Sequence, residues 1–168
     1  MGRHRRTETT FRLLFVCTGN ICRSPVAEIL TRHVLVGRLG GRAASAFRIS
    51  SAGVQAVVGA PVHPLMVTEL APLGLDGEAE RFVARQLVPE LVESADLVLG
   101  ASPRHRSTVV EQAPGALPIA FGLREFARLA ESVDPSVLPS APVARAHTAV
   151  ASGSPATART ATSSAATR

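Results

Sequence analysis

The chain has 168 residues, of which 46% are hydrophobic, and this length and composition suit one globular domain with a sizeable core. All 18 basic residues are arginine, and the formal net charge is +5. Residues 1–12 hold four arginines and one glutamate, and residues 139–168 hold three arginines and no acid, so the part between them is nearly neutral. This distribution argues against nucleic-acid binding, and no apolar stretch is long enough to span a membrane. We therefore expect a cytoplasmic protein.

The first predicted element is a buried strand, indicated by the apolar run Leu13–Val16. A loop over residues 17–24 follows it, and a helix is predicted from Val26 to about Leu39, with Glu28 and Arg32 on its polar faces. The loop therefore ends at a helix N-terminus. Unpaired backbone N–H groups and the positive end of the helix dipole favour an anion there.

Three residue types in this loop suit phosphate chemistry. Gly19 lets the backbone wrap closely around a ligand, since it has no Cβ. Cys17 begins the loop, and N–H donors together with a guanidinium stabilise the thiolate, which is the nucleophilic form of cysteine. Arg23 ends the loop, and its forked donors match phosphate oxygens. The loop thus combines a nucleophile with an anion clamp.

Strands and helices alternate along the rest of the chain. Strands are predicted over residues 48–51, 96–99 and 117–121. One helix is predicted to open at residues 59–61 and to end before Gly74; others cover residues 89–95, begin at Pro103 and cover residues 123–129. On the helix that begins at Pro103, His105 could serve phosphate recognition, but a place on a solvated helix face is favoured. This alternation predicts an α/β fold: a single three-layer domain with a four-stranded parallel sheet flanked by helices, plus a disordered C-terminal tail. Ligands of such sheets bind at the carboxyl ends of the strands, where the loop lies.

The loop sequence resembles the phosphate loop of the low-molecular-weight protein tyrosine phosphatase family (bacterial type). It reads Cys17-Thr18-Gly19-Asn20-Ile21-Cys22-Arg23-Ser24-Pro25 and follows the first strand, as in that family. The resemblance implies that Cys17 is the catalytic nucleophile and that Arg23 binds the phosphoryl oxygens. It further implies a phosphate-binding role for the rest of the loop, namely Thr18, Gly19, Asn20, Ile21, Cys22 and Ser24. No metal and no cofactor are required.

The resemblance also implies a layer of supporting side chains. Ser24 is expected to donate to the Cys17 sulfur. Ser51, in a Ser-Ala-Gly segment, is expected to hydrogen-bond Asn20 and to hold a strained loop conformation. Phe82 stands where the family usually carries a histidine of the network beneath the loop, so one layer of this support is expected to be lost.

Two roles remain open in the sequence. Cys22 is placed to trap an oxidised Cys17 as a reversible disulfide, but it is equally well explained as a small packing residue. Asp134 belongs to the only Asp-Pro pair and is the sole candidate for the family's general acid. The alternative is a turn that ends a helix, since the usual aromatic residue after the pair is missing and low-complexity sequence follows.

These observations predict three segments: a flexible basic N-terminus (1–10), a low-molecular-weight phosphatase-like domain (11–138) and a disordered low-complexity tail (139–168). The implied function is that of a protein tyrosine phosphatase, which hydrolyses phosphomonoesters through a cysteinyl-phosphate intermediate. Its partner would be a phosphorylated protein, carrying phosphotyrosine, or a small phosphomonoester; no nucleic acid and no membrane are expected. Two alternatives are an arsenate reductase that uses an external thiol and a catalytically weak phosphate- or phosphopeptide-binding relative.

Overall fold

A four-stranded parallel sheet forms the centre of the molecule, in a computed structural model that describes residues 9–154. The strands are β1 (Phe11–Cys17), β2 (Phe47–Gly53), β3 (Leu97–Gly100) and β4 (Ala120–Gly122). They are ordered β2-β1-β3-β4, and every neighbouring pair is parallel. In β1 every residue except Arg12 is buried, because a parallel sheet between helices is covered on both faces. The predicted α/β fold class is confirmed.

Seven α-helices accompany the sheet in the described residues. They are α1 (Arg23–Ala44), α2 (Pro64–Leu70), α3 (Asp76–Arg81), α4 (Pro89–Ser94), α5 (Pro103–Gln112), α6 (Leu123–Ser132) and α7 (Pro142–Gly153). The main apolar core surrounds the strands, while a smaller cluster joins α1 to α2 and α3. No helix in this part of the chain is both long and apolar enough to cross a membrane.

Helix α1 is longer than its sequence pattern predicts. It begins at Arg23, directly after the loop, and reaches Ala44 rather than Leu39. The predicted end near the glycines is visible as a break, because Gly40 adopts φ 75° and ψ 158° inside the helix. Such a positive φ is a conformation that glycine adopts without the steric cost other residues pay. The helix therefore resumes for one more turn after the break.

The predicted disordered tail is wrong over residues 142–153, which form α7. Val150 is buried in the main core, and Val143 and Ala146 pack against it. His147 lies edge-on to the ring of Phe11 at the start of β1, with 5.0 Å between the ring centres. Alanine has the highest helix propensity, so few apolar contacts suffice to fix this alanine-rich segment. The remainder of the predicted tail, residues 155–168, and residues 1–8 of the predicted flexible N-terminus lie outside the described residues.

Candidate active site

The loop of residues 17–24 joins β1 to α1 at the carboxyl edge of the sheet. The segment after β2 forms backbone hydrogen bonds with this loop. The backbone N–H groups of Val54, Gln55, Val57 and His63 donate to carbonyl oxygens of the loop at 2.9, 3.0, 3.0 and 2.8 Å. Within residues 9–154, the N–H groups of residues 18–24 donate to no protein acceptor. Unpaired N–H groups at a helix N-terminus form an anion-binding site. The second segment was not foreseen, since nothing in its composition marks it as a partner of the loop.

Cys17 is the last residue of β1 and the first residue of the loop. The residue is 2% exposed, and its Sγ lies 2.9 Å from the Oγ of Ser24. This is the contact that the sequence predicts. A hydroxyl in this place can donate to a thiolate, and hydrogen bonds to charged groups are stronger than neutral ones. The arrangement therefore places a hydroxyl within hydrogen-bond distance of the Cys17 sulfur.

Asn20 holds the loop in an unusual backbone conformation. Its φ is 54°, and it is the only described non-glycine residue with a positive φ. The side chain is fully buried; its Nδ2 donates to the Oγ atoms of Ser24 and Ser51 at 2.8 and 2.9 Å. Its Oδ1 accepts from the backbone N–H of Arg85 at 2.9 Å. The predicted contact between Ser51 and Asn20 is thus present, and these bonds offset the strain of the backbone.

Glu28 extends this network into α1, where the sequence pattern placed it on a polar face. The residue is 6% exposed, and its Oε2 accepts from the Oγ of Ser51 at 2.6 Å. Its Oε1 pairs with Arg32, one helical turn later, at 2.5 Å. A buried carboxylate requires such partners. A chain of contacts therefore runs from Arg32 through Glu28, Ser51 and Asn20 to the loop.

Phe82 does not interrupt this support, contrary to what its difference from the family pattern predicts. Its ring packs against the smaller apolar cluster. Two groups of Arg85 serve the network in its vicinity: the backbone N–H binds Asn20, and Nε donates to the carbonyl oxygen of Ser51 at 2.8 Å. Arg85 thus has a structural role. The polar layer beneath the loop is complete without a histidine at position 82.

His105 is buried, so its predicted place on a solvated helix face is wrong. It lies in the first turn of α5 and is 6% exposed. Its Nε2 lies 3.0 Å from the Oγ1 of Thr18, and its Nδ1 lies 2.8 Å from the Oγ of Ser102. Burial lowers the pKa of His105, and the positive charges of Arg23 and Arg104 lower it further. The imidazole is therefore neutral beside the loop at pH 7.

Apolar side chains flank the loop at Gly19. The position that a Cβ would take there lies 3.5 Å from Cγ1 of Ile21 and 3.7 Å from Cγ2 of Val57, so the two side chains meet around this glycine. Val57 is 52% exposed. Ile21 and Val57 therefore offer apolar surface beside the loop.

Gly53 is required for the close approach of β2 to the loop. A Cβ at this position would lie 2.4 Å from the carbonyl oxygen of Thr18 and 3.0 Å from the backbone nitrogen of Asn20.

We expect Gly53→Ala to lower the free energy of unfolding by about 1–3 kcal/mol and to weaken phosphate binding, because the backbone of the loop must move away from the new Cβ. Gly37→Ala is the matched control, since nothing lies within 4 Å of a Cβ there, and it should stabilise α1 slightly. Urea unfolding and phosphate titration measure both effects; equal behaviour of the two variants would contradict this reading.

Within residues 9–154, no hydrogen bond joins Asp134 to the loop. It is exposed and caps the 3-10 turn Pro135–Val137, where its Oδ1 accepts from the backbone N–H of Ser136 at 2.9 Å. Hydrogen bonds from Ser136 lower its pKa. The residue follows the far end of α6, a helix that starts at the carboxyl edge of β4 and rises about 15 Å. These features favour the role of a helix-ending turn.

The parallel α/β fold, with the loop and its buried cysteine at the end of β1, is that of a class of phosphatases. The family model described as low molecular weight phosphotyrosine protein phosphatase matches residues 12–134. The chain belongs to this family.

Relatives with two named activities are similar to the chain. It is 35% identical over 114 residues to a probable low molecular weight protein-tyrosine-phosphatase, EpsP, of Ralstonia solanacearum, covering 68% of this chain and 71% of that protein. It is 37% identical over 118 residues to a protein-arginine-phosphatase of Geobacillus stearothermophilus, covering 69% and 71%. A solved low molecular weight protein tyrosine phosphatase from T. tengcongensis superposes with a TM-score of 0.62 at 30% identity, covering 86% of this chain and 95% of that one.

Proposed function

We propose that the protein hydrolyses phosphotyrosine-like monoesters, with Cys17 as nucleophile and Arg23 as the clamp on the phosphoryl oxygens. The observation that carries this proposal is the loop of unpaired N–H groups above a buried Cys17, whose Sγ contacts Ser24 Oγ at 2.9 Å. Backbone N–H groups of Thr18, Gly19, Asn20, Ile21, Cys22 and Ser24 would share the phosphate oxygens.

The reaction proceeds in two steps. The Cys17 thiolate attacks phosphorus in line; the S–P bond forms as the bond to the leaving oxygen breaks, and the leaving oxygen takes up a proton from solvent water. Water then attacks phosphorus, the S–P bond breaks, and inorganic phosphate leaves with the thiolate restored. Arg23 and the N–H groups stabilise the charge on the equatorial oxygens in both transition states.

The apolar surface of Ile21 and Val57 supports an aromatic leaving group. A phenyl ring that covers apolar side chains contributes favourable binding free energy through burial of apolar surface. A guanidinium or an alkyl alcohol contributes less. We expect kcat/KM for a phosphotyrosyl peptide to exceed that for a phosphoarginyl peptide of equal sequence. Release of phosphate from both peptides, and an acid-quenched phosphoenzyme traced to Cys17, test the proposal. Preference for phosphoarginine would reassign the substrate, and the absence of a phosphoenzyme would reject the mechanism.

We propose a structural role for Asp134, and we expect Asp134→Asn to leave kcat and the acid side of the pH–rate profile unchanged. The reason is that the Asp134 carboxylate caps a turn, and hydrogen bonds from Ser136 lower its pKa. A general acid, in contrast, must be protonated when the ester bond breaks. Hydrolysis of an alkyl phosphate is the sensitive assay, since its leaving group most needs a proton. A loss of about 10²- to 10⁴-fold would instead identify Asp134 as the acid.

The proposal includes a cytoplasmic location and a phosphorylated protein or small phosphomonoester as partner. Both cysteines of the chain are free, and a nucleophilic thiol persists best in a reducing compartment. The pairing of Cys17 with Cys22 under oxidation stays a prediction. Intact mass before and after peroxide treatment, with and without a reductant, would reveal such a disulfide.

A further inference from the structure

We propose that His105 is a positioning residue of the phosphate site, which holds Arg23 in place through the hydroxyl of Thr18. The inference rests on the proposed function only in taking a phosphate oxyanion as the ligand of the loop. It concerns a residue on α5, a separate element from the strand, loop and helix that form the anion site.

The geometry forms a continuous chain of three contacts. Arg23 Nη2 donates to Thr18 Oγ1 at 3.5 Å, Thr18 Oγ1 lies 3.0 Å from His105 Nε2, and His105 Nδ1 lies 2.8 Å from Ser102 Oγ. Arg23 and Thr18 are exposed, whereas His105 is 6% exposed. The buried imidazole is thus the fixed end of the chain, and the arginine is its free end.

The backbone around His105 is packed closely enough to fix the ring. A Cβ at Gly100 would lie 2.8 Å from the backbone nitrogen of Arg106 and 3.1 Å from Cβ of His105. Glycine at the end of β3 therefore lets α5 start against the sheet, and this places the imidazole beside the loop.

The charge state of His105 suits this role. A neutral imidazole has one nitrogen that accepts and one that donates, so it can bind the hydroxyls of Thr18 and Ser102 together. Protonation would make both nitrogens donors and would add a positive charge next to Arg23 and Arg104, the charged groups that face it. Burial and the neighbouring arginines keep the ring neutral. In this form Nε2 can accept a hydrogen bond from the hydroxyl of Thr18, which leaves a lone pair of that oxygen for Arg23.

Holding Arg23 matters because a long side chain loses rotamer freedom when it binds an anion. A guanidinium that is already tethered loses less. Removal of the tether should therefore weaken binding of phosphate and raise KM, and it should lower kcat/KM in proportion.

The test is a matched set of variants whose phosphate dissociation constants are measured by NMR titration. In His105→Gln the amide reaches the place of Nε2 and can keep the bond to Thr18, whereas in His105→Asn it reaches only the place of Nδ1. Both variants lose the ring, and each can keep one of its two contacts: Gln the contact with Thr18 and Asn the contact with Ser102. Phosphate binding that follows the Gln variant therefore depends on Thr18 and not on Ser102. Thr18→Val removes the hydroxyl from the exposed loop and leaves α5 unchanged. Weaker phosphate binding by this variant therefore cannot result from a folding defect in α5.

We expect the phosphate dissociation constant of His105→Gln to lie within about twofold of the wild-type value. The constants of His105→Asn and Thr18→Val should be about three- to tenfold higher, because each variant loses one hydrogen bond. The Thr18→Val/His105→Asn double variant should bind no more weakly than either single one, since both break the same contact. Equal affinities of the Gln and Asn variants, or additive losses, would overturn the inference. Hydrolysis of p-nitrophenyl phosphate by the wild type tests the proposed function separately, because phosphate affinity is measured without turnover.

Discussion

Cys17→Ser is expected to abolish hydrolysis of p-nitrophenyl phosphate while the protein still binds phosphate. A serine hydroxyl in this place remains neutral at pH 7 and is a far weaker nucleophile than a thiolate. Loss of a catalytic nucleophile lowers kcat by about 10⁴- to 10⁶-fold in well-studied cases. The N–H groups of the loop and Arg23 are unchanged, so the anion site persists.

Two measurements separate catalysis from binding in this variant. Phosphate should raise the melting temperature of both proteins, because a ligand that binds only the folded state stabilises it, while turnover is seen only for the wild type. Turnover at the wild-type rate would show that Cys17 is not the nucleophile.

The sheet and the loop could be predicted because their signals are local. Apolar runs mark the strands, and the loop residues from Cys17 to Pro25 carry their chemistry within nine positions. Ser51 could be paired with Asn20 only through the family resemblance, since 31 positions separate them.

Side chains beneath the loop escaped prediction because their burial depends on the packing of separate elements. Glu28 and His105 are polar residues on helices, and helical periodicity places such residues in water. When buried, their polar atoms form hydrogen bonds with Ser51 and Thr18, which lie 23 and 87 positions away in the sequence. Helix α7 was missed for a related reason: a segment with few large apolar residues is ordered once Val150 meets the core. No local pattern contains that contact.

Asn20→Ala is expected to destabilise the protein by about 3–5 kcal/mol and to lower kcat by about 10²- to 10³-fold. Three hydrogen bonds are lost, two of them buried and one part-buried, each worth about 0.5–1.5 kcal/mol. Alanine at φ 54° adds about 1–2 kcal/mol of backbone strain. The loss in rate follows because the N–H groups of the loop leave the orientation in which they meet the transition state, and one such donor is worth about that much.

Asn20→Gly separates the two causes. Glycine adopts a positive φ without strain but makes none of the side-chain bonds to Ser24, Ser51 and Arg85. The glycine variant should therefore be more stable than the alanine variant by about 1–2 kcal/mol and yet equally impaired in kcat. Urea unfolding and p-nitrophenyl phosphate turnover of the two variants measure these quantities side by side. Recovery of activity in the glycine variant would show that backbone conformation alone orders the loop, and the polar layer from Arg32 to Ser24 would then contribute stability rather than catalysis.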